Sequence, residues 1–118
     1  MLMPERLIEL DTIDALDKAI AESHERPVIV FKHSTTCPIS TRAFREFESF
    51  LEAATPTAAY SLITVQHSRE VSNEAAARLS VAHESPQAIL IRHGRPVWSA
   101  SHFEITEASL SRALTEVA

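Results

Sequence analysis

Cysteine is scarce in this sequence, which has only one among its 118 residues, Cys37. A single cysteine cannot form a disulfide within its own chain, so the disulfide framework of a small secreted domain is excluded. Residues 1–11 carry Glu5, Arg6 and Glu9 among their apolar side chains, and they lack the continuous apolar segment of a secretory signal. Both absences predict a protein of the reducing cytoplasm.

Long apolar runs, long runs of one charge and closely spaced metal ligands are also missing. No segment approaches the roughly 20 apolar residues of a membrane-spanning helix, so we expect no membrane partner. The net charge of −5, from 11 basic and 16 acidic side chains without long runs, disfavours nucleic acid as a partner. The six histidines are scattered and never take the paired spacing H-x-x-x-H, so we expect no metal site.

The composition that remains is that of a globular protein, with 45% hydrophobic and 23% charged residues. A chain of this length has the size of one ordinary domain with one core. No linker, repeat or low-complexity segment interrupts it. We therefore expect a single domain over residues 1–118.

The first half of the chain alternates between helical and strand patterns. A helix capped by Asp11 or Thr12 should end near Ser23, because apolar residues recur there at helical spacing. The apolar run at residues 28–31 predicts a strand buried on both faces, as in a parallel sheet. Residues 60–65 have the composition of a further strand.

Two helices are predicted around that second strand. One should begin at Pro38 and end at Thr55–Pro56, and the next should be capped by Ser72 or Asn73 and continue to Leu79. The apolar stripe of the first of these helices consists of Ala43, Phe44, Phe47, Phe50, Leu51 and Ala54.

The last third of the chain predicts a β-hairpin and a final helix. Strands at residues 88–91 and 97–100 flank His93-Gly94, which contains the chain's only glycine, and Pro96 should lie on a sheet edge. Thr106 caps the last helix. This order of elements predicts an α/β protein of thioredoxin-like fold, with a mixed central sheet and helices on both faces.

Cys37 lies between the predicted buried strand and the amphipathic helix that follows it. Pro38 suits the first helical position, which would make Cys37 the N-cap residue. The unsatisfied N–H groups and the helix dipole favour an anion there, so a thiolate is stabilised relative to the thiol. A free cysteine is also often just a small buried hydrophobic residue, and placement alone leaves both interpretations open.

The charge around this cysteine differs from that of the whole chain. Residues 31–45 include Lys32, His33, Arg42 and Arg45 but no acidic side chain. Such a basic patch would attract a negatively charged substrate, and Lys32 and His33 would support a thiolate. Taken one at a time, each cation is more often an ordinary solvated side chain.

The motif Cys37-Pro38-Ile39-Ser40 has serine where a dithiol oxidoreductase has its second cysteine. Ser40 cannot resolve a disulfide; it either donates a hydrogen bond to a thiolate one turn away or simply occupies the first helical turn. Any disulfide on Cys37 must therefore be intermolecular and be removed by an external thiol.

Three blocks of sequence resemble the monothiol bacilliredoxin family: KHSTTCPIS at residues 32–40, HESPQ at 83–87 and WSASHFEIT at 98–106. The resemblance covers almost the whole chain, from about Asp11 to the final helix. Proteins of this family have a thioredoxin-like fold and act on bacillithiol mixed disulfides. The resemblance therefore implies that Cys37 is the redox-active cysteine.

The resemblance also implies a substrate groove. In thioredoxin-like proteins a cis-proline faces the active cysteine at the position of Ser85-Pro86, and the backbone of Ser85 could pair with an extended substrate segment. We place Thr36 in the same groove. Gln87 and His83 either line it or are ordinary loop residues.

The expected function is that of a monothiol thiol-disulfide oxidoreductase that removes bacillithiol from protein mixed disulfides. Bacillithiol would be a co-substrate rather than a bound cofactor, and the partners would be bacillithiolated client proteins. A second bacillithiol or a partner reductase would regenerate the cysteine. The alternatives are a monothiol glutaredoxin-like protein that uses glutathione and a non-catalytic, redox-regulated binding module.

Overall fold

The protein is built on a mixed five-stranded sheet. The computed structural model describes residues 7–53 and 57–117, and its strands are β1 (Leu7–Glu9), β2 (Val28–His33), β3 (Ala59–Thr64), β4 (Gln87–Arg92) and β5 (Arg95–Ser101). Their order across the sheet is β1-β3-β2-β4-β5. The first three run parallel, whereas β4 is antiparallel to β2 and β5 is antiparallel to β4.

Helices cover both faces of this sheet, as the sequence predicts. They are α1 (Ile13–Glu22), α2 (Pro38–Ala53), α3 (Arg69–Leu79) and α4 (Glu107–Val117), and a short 3₁₀ helix spans His102–Glu104. Because side chains alternate along a strand, Ile29 and Phe31 of β2 pack into the core under α2 and α4. Val28 and Val30 pack into the second core, under α1 and α3.

Two predicted helix caps are confirmed. Thr12 Oγ1 accepts a hydrogen bond from the Ala15 N–H at 3.0 Å, and Thr106 Oγ1 accepts one from the Ser109 N–H at 3.0 Å. Most of the predicted stripe on α2 is buried, with Phe44 partly so. The stripe's last member, Ala54, and the helix end predicted at Thr55–Pro56 lie outside the described residues.

The predicted start of α3 is wrong. The helix begins at Arg69 with Ser68 as its N-cap residue, not at Ser72 or Asn73. The Ser68 carbonyl accepts the Ser72 N–H at 3.0 Å, so Ser72 closes the first helical turn. Ser72 is also buried. Ser68, Ser72 and Asn73 are all residue types that cap helices, and the backbone hydrogen bond from Ser72 to Ser68 places the start of the helix at Ser68.

The hairpin between β4 and β5 is confirmed. His93 and Gly94 have φ values of 56° and 76°, so both adopt the left-handed conformation of a two-residue hairpin turn. Pro96 lies on β5, which is an edge strand and so tolerates a residue without an N–H.

The topology gathers distant segments at one end of the sheet. The parallel strands β2 and β3 both end there, while β4 begins there and β5 finishes there. Three segments therefore lie at this end of the sheet: the loop before Cys37, the turn after β3 and the segment before β4. None of the helices in the described part of the chain is long and apolar enough to cross a membrane.

Candidate active site

Cys37 occupies the position that the sequence predicts, at the start of α2. The helix begins at Pro38, and the Cys37 carbonyl accepts the Thr41 N–H at 3.0 Å, so Cys37 is the N-cap residue. Its own N–H is turned back to the Ser34 carbonyl at 3.3 Å. Cys37 is half-buried and lies at the N-terminus of a helix of 16 residues, where the helix dipole has its positive end.

Ser40 lies one turn further on and is fully buried, with 0% of its surface exposed. Its Oγ accepts the Ser34 N–H at 2.9 Å and lies 2.8 Å from Nδ1 of His33. The direction of this second hydrogen bond follows the His33 tautomer, because Nδ1 accepts when the ring proton is on Nε2 and donates when it is on Nδ1. Ser40 therefore holds the loop before Cys37 from the α2 side.

His33 ends β2 and is half-buried, with its ring stacked on Phe44 at 4.7 Å between centroids. Burial lowers the pKa of His33 below its usual value. This shift favours the neutral form of the ring. Burial therefore weakens the positive charge that the sequence predicts beside Cys37, while the ring forms a hydrogen bond with Ser40.

Lys32 does not belong to a surface patch, and that part of the prediction is wrong. Its side chain is 0% exposed because its place in β2 directs it toward α3. Nζ donates to the Ser72 carbonyl at 3.0 Å and lies 3.2 Å from Nδ1 of His83. Burial lowers the pKa of Lys32 to about 8. Burial, followed by the charge of Lys32, lowers the pKa of His83.

The arginines of the predicted basic patch are both exposed on α2. The guanidinium of Arg42 lies over the ring of Phe103, 5.3 Å from its centroid. Phe103 belongs to the 3₁₀ helix and is 62% exposed, which is unusual for a large apolar side chain. Sequence reasoning missed this ring because nothing in the local pattern marks it as exposed.

Ser85 and Pro86 lie at the same end of the sheet as the loop before Cys37. The peptide bond between them is cis, and the ladder between β2 and β4 stops just beyond them at the pair Lys32 and Gln87. Pro86 is buried, and its carbonyl accepts the His102 N–H at 3.1 Å. Ser85 comes before the first residue of β4 that pairs with β2, so its backbone lies outside the paired part of these two strands.

The two residues that the sequence left undecided take different roles. Gln87 is 3% exposed and belongs to β4, where its Nε2 donates to the Ala82 carbonyl at 3.0 Å. His83 is an exposed loop residue whose ring contacts Lys32 Nζ, and its Nδ1 is 3.3 Å from Ser72 Oγ. Both side chains therefore tie the segment before Pro86 to its surroundings.

Gln66, which sequence reasoning missed, contacts each residue of the loop before Cys37. Its Oε1 accepts the Thr35 N–H at 3.2 Å. Its Nε2 donates to Ser34 Oγ at 3.0 Å and to Thr36 Oγ1 at 3.1 Å. The only signal in the sequence is that a glutamine follows a strand predicted to run parallel to β2.

Fold and cysteine placement together define a thioredoxin-like thiol oxidoreductase. The family model described as monothiol bacilliredoxin BrxC matches residues 8–110. The chain therefore belongs to the monothiol bacilliredoxin family.

Solved structures agree with the thioredoxin-like fold. A protein provisionally described as an oxidoreductase with a thioredoxin fold is 37% identical, with a TM-score of 0.81, over 92% of this chain and 93% of its own. Thioredoxin from Fasciola hepatica is 23% identical, with a TM-score of 0.72, over 92% and 97% of the two chains. A mutant thioredoxin from Halobacterium salinarum is 15% identical, with a TM-score of 0.74, over 98% and 94%. The two thioredoxins support the fold alone.

Proposed function

We propose that this protein removes bacillithiol from mixed disulfides with client proteins, using Cys37 as its only redox-active group. The observation that carries the proposal is the site itself, in which the chain's one cysteine caps α2 and a buried serine replaces the resolving cysteine. Such a site supports exchange with one thiol at a time. The reaction belongs in a reducing cytoplasm.

The reaction is two successive thiol–disulfide exchanges. The Cys37 thiolate attacks the bacillithiol sulfur of the mixed disulfide, the client–bacillithiol S–S bond breaks, and the client leaves as a thiolate. Cys37 then carries bacillithiol in a new disulfide. The thiolate of a second bacillithiol attacks this adduct, Cys37 leaves as a thiolate, and bacillithiol disulfide is the product. A partner reductase with a thiol could perform the same second step.

Parts of the site have distinct roles in this scheme. The N-terminus of α2 stabilises negative charge on the Cys37 sulfur when it attacks and when it leaves. Arg42, exposed over Phe103, is available to the carboxylates of a small thiol. The backbone of Ser85 and the hydroxyl of Thr36 are available to the client segment on either side of the disulfide.

The test compares two versions of one client protein, one bacillithiolated and one glutathionylated, each incubated with the enzyme and the matching free thiol. Wild-type protein should release the client thiol faster from the bacillithiolated form, and Cys37→Ser should release none above background. This substitution is nearly isosteric, so circular dichroism should show an unchanged fold.

Two other results would contradict the proposal and support one of its alternatives. Faster release from the glutathionylated client would identify a glutathione-dependent enzyme. Tight binding of the client without release of either thiol would identify a redox-regulated binding module.

A further inference from the structure

The loop at residues 34–36 is held from two sides. From the α2 side, the buried Oγ of Ser40 accepts the Ser34 N–H at 2.9 Å. From the β3 side, Gln66 makes the three hydrogen bonds to Ser34, Thr35 and Thr36 described above. The loop joins β2 directly to Cys37, so its conformation decides where the sulfur and its flanking wall lie.

Gln66 is well suited to a positioning role. Its amide has one orientation that satisfies all three contacts, because Oε1 faces an N–H donor while Nε2 faces two hydroxyl oxygens. Its backbone position is secured independently, since the preceding Val65 N–H donates to the His33 carbonyl at 2.9 Å. The side chain is exposed and is not part of either hydrophobic core.

We propose that Gln66 is a positioning residue for disulfide exchange at Cys37. It holds Thr36, the residue next to the cysteine, in one conformation. An incoming disulfide then binds against an ordered loop, with its S–S bond in line with the attacking Cys37 sulfur. Small misplacements of reacting groups lower exchange rates strongly. The inference rests on the proposed function only in taking thiol–disulfide exchange as the reaction, and it does not depend on which small thiol is used.

The test variant is Gln66→Met, which keeps the size of the side chain and removes its hydrogen bonds. The control is His67→Gln, a substitution of the neighbouring exposed residue, whose side chain makes no hydrogen bond to the loop among the described residues. Two second-order rates of Cys37 are measured: exchange with a peptide–cysteine mixed disulfide, and alkylation by iodoacetamide, which needs little contact with the loop.

Gln66→Met should slow disulfide exchange about fivefold and leave alkylation within about twofold of wild type. Hydrogen exchange of the Thr35 amide should be faster, because its acceptor is gone. His67→Gln should match wild type in all three measurements. Partial unfolding would have the opposite signature, since it would expose Cys37 and raise the alkylation rate.

A double-mutant cycle with Ser34→Ala adds a second criterion, because that substitution removes one of the oxygens to which Gln66 donates. The two effects on disulfide exchange should be less than additive. Wild-type exchange in Gln66→Met, an equal fall in exchange and alkylation, or strict additivity in the cycle would overturn the inference. A wild type that handles peptide–cysteine disulfides but not bacillithiolated clients would instead contradict the proposed function alone.

Discussion

At the scale of the residue, Ser40 explains how a thioredoxin-like site works with one thiol. It occupies the place of a second cysteine, is fully buried, and binds the Ser34 N–H and His33. Removing this hydroxyl would leave the partly buried Ser34 N–H without its acceptor, which costs on the order of 1 kcal/mol. Ser40 is therefore part of the structure of the loop as well as a missing resolving group.

Replacing Ser40 by cysteine tests this assignment. The new thiol would lie one helical turn from Cys37, close enough for a bridge after small adjustments. We expect a shorter lifetime of the bacillithiol adduct on Cys37 and an intramolecular disulfide, both detected by mass spectrometry. Ser40→Ala is the control, since it loses the same hydrogen bonds but gains no thiol. An adduct equally long-lived in both variants would contradict the placement.

Lys32 leads to a pH-dependent stability. Its folded-state pKa, about 8, lies below the ordinary value of 10.5, so between these pH values the unfolded chain binds more protons. The free energy of unfolding should therefore rise with pH across this window, by on the order of 3 kcal/mol for the whole shift. Lys32→Met lacks the titrating group and should not show this rise.

The measurement is urea denaturation of both proteins from pH 7 to pH 10, with the difference between them plotted against pH. Other groups that titrate in this range cancel in the difference. Parallel stability curves for wild type and Lys32→Met would show that the lysine is not desolvated in solution.

At the residue scale the sequence identifies the reactive cysteine but not the side chains that surround it in the fold. Cys37 and Pro38 are recognisable because their order alone predicts an N-cap and a first helical residue. Lys32 looks like a loop cation until the strand is known to continue through His33. Gln66 is hidden because its partners are 30 to 32 residues away and are reached only when β2 and β3 pair.

At the scale of the element, the caps decide where helices begin. In α4, Thr106 and Ser109 bond reciprocally: each N–H donates to the other's hydroxyl at 3.0 Å. This pair starts the helix that covers the core over β4.

Thr106→Ala should lower the free energy of unfolding by about 1 kcal/mol, because the Ser109 N–H loses its acceptor. Thr115→Ala is the matched control. That threonine is exposed within the same helix, and its hydroxyl only donates to the Ser111 carbonyl at 2.8 Å. The control should change stability by less than about 0.5 kcal/mol in thermal or chemical denaturation. Equal effects at both positions would show that the cap contributes nothing specific.

The sequence predicts the elements well where local signals are strong. The hairpin has a glycine turn, and α2 has a continuous apolar stripe. In contrast, β1 is not predicted because it has only three residues and is defined by pairing with β3. The start of α3 is misplaced because Ser68, Ser72 and Asn73 are all acceptable caps in isolation.

At the scale of the whole molecule, the sheet assembles the site from segments that are far apart in sequence. The loop after β2, Gln66 after β3, Ser85–Pro86 before β4 and His102 after β5 all lie at one end of the sheet. The order of the elements predicts that these segments meet at one end of the sheet. The hydrogen bonds between them depend on the register of the strands, which the sequence does not give.

The central claim is that Cys37 takes bacillithiol from a client and keeps it. The most direct measurement is intact-mass spectrometry after mixing equal amounts of reduced protein and a bacillithiolated peptide. We expect the free peptide thiol and a chain heavier by one bacillithiol, with the modification on Cys37 and no transfer to Cys37→Ser. A chain joined to the peptide instead, or a chain of unchanged mass, would contradict the account.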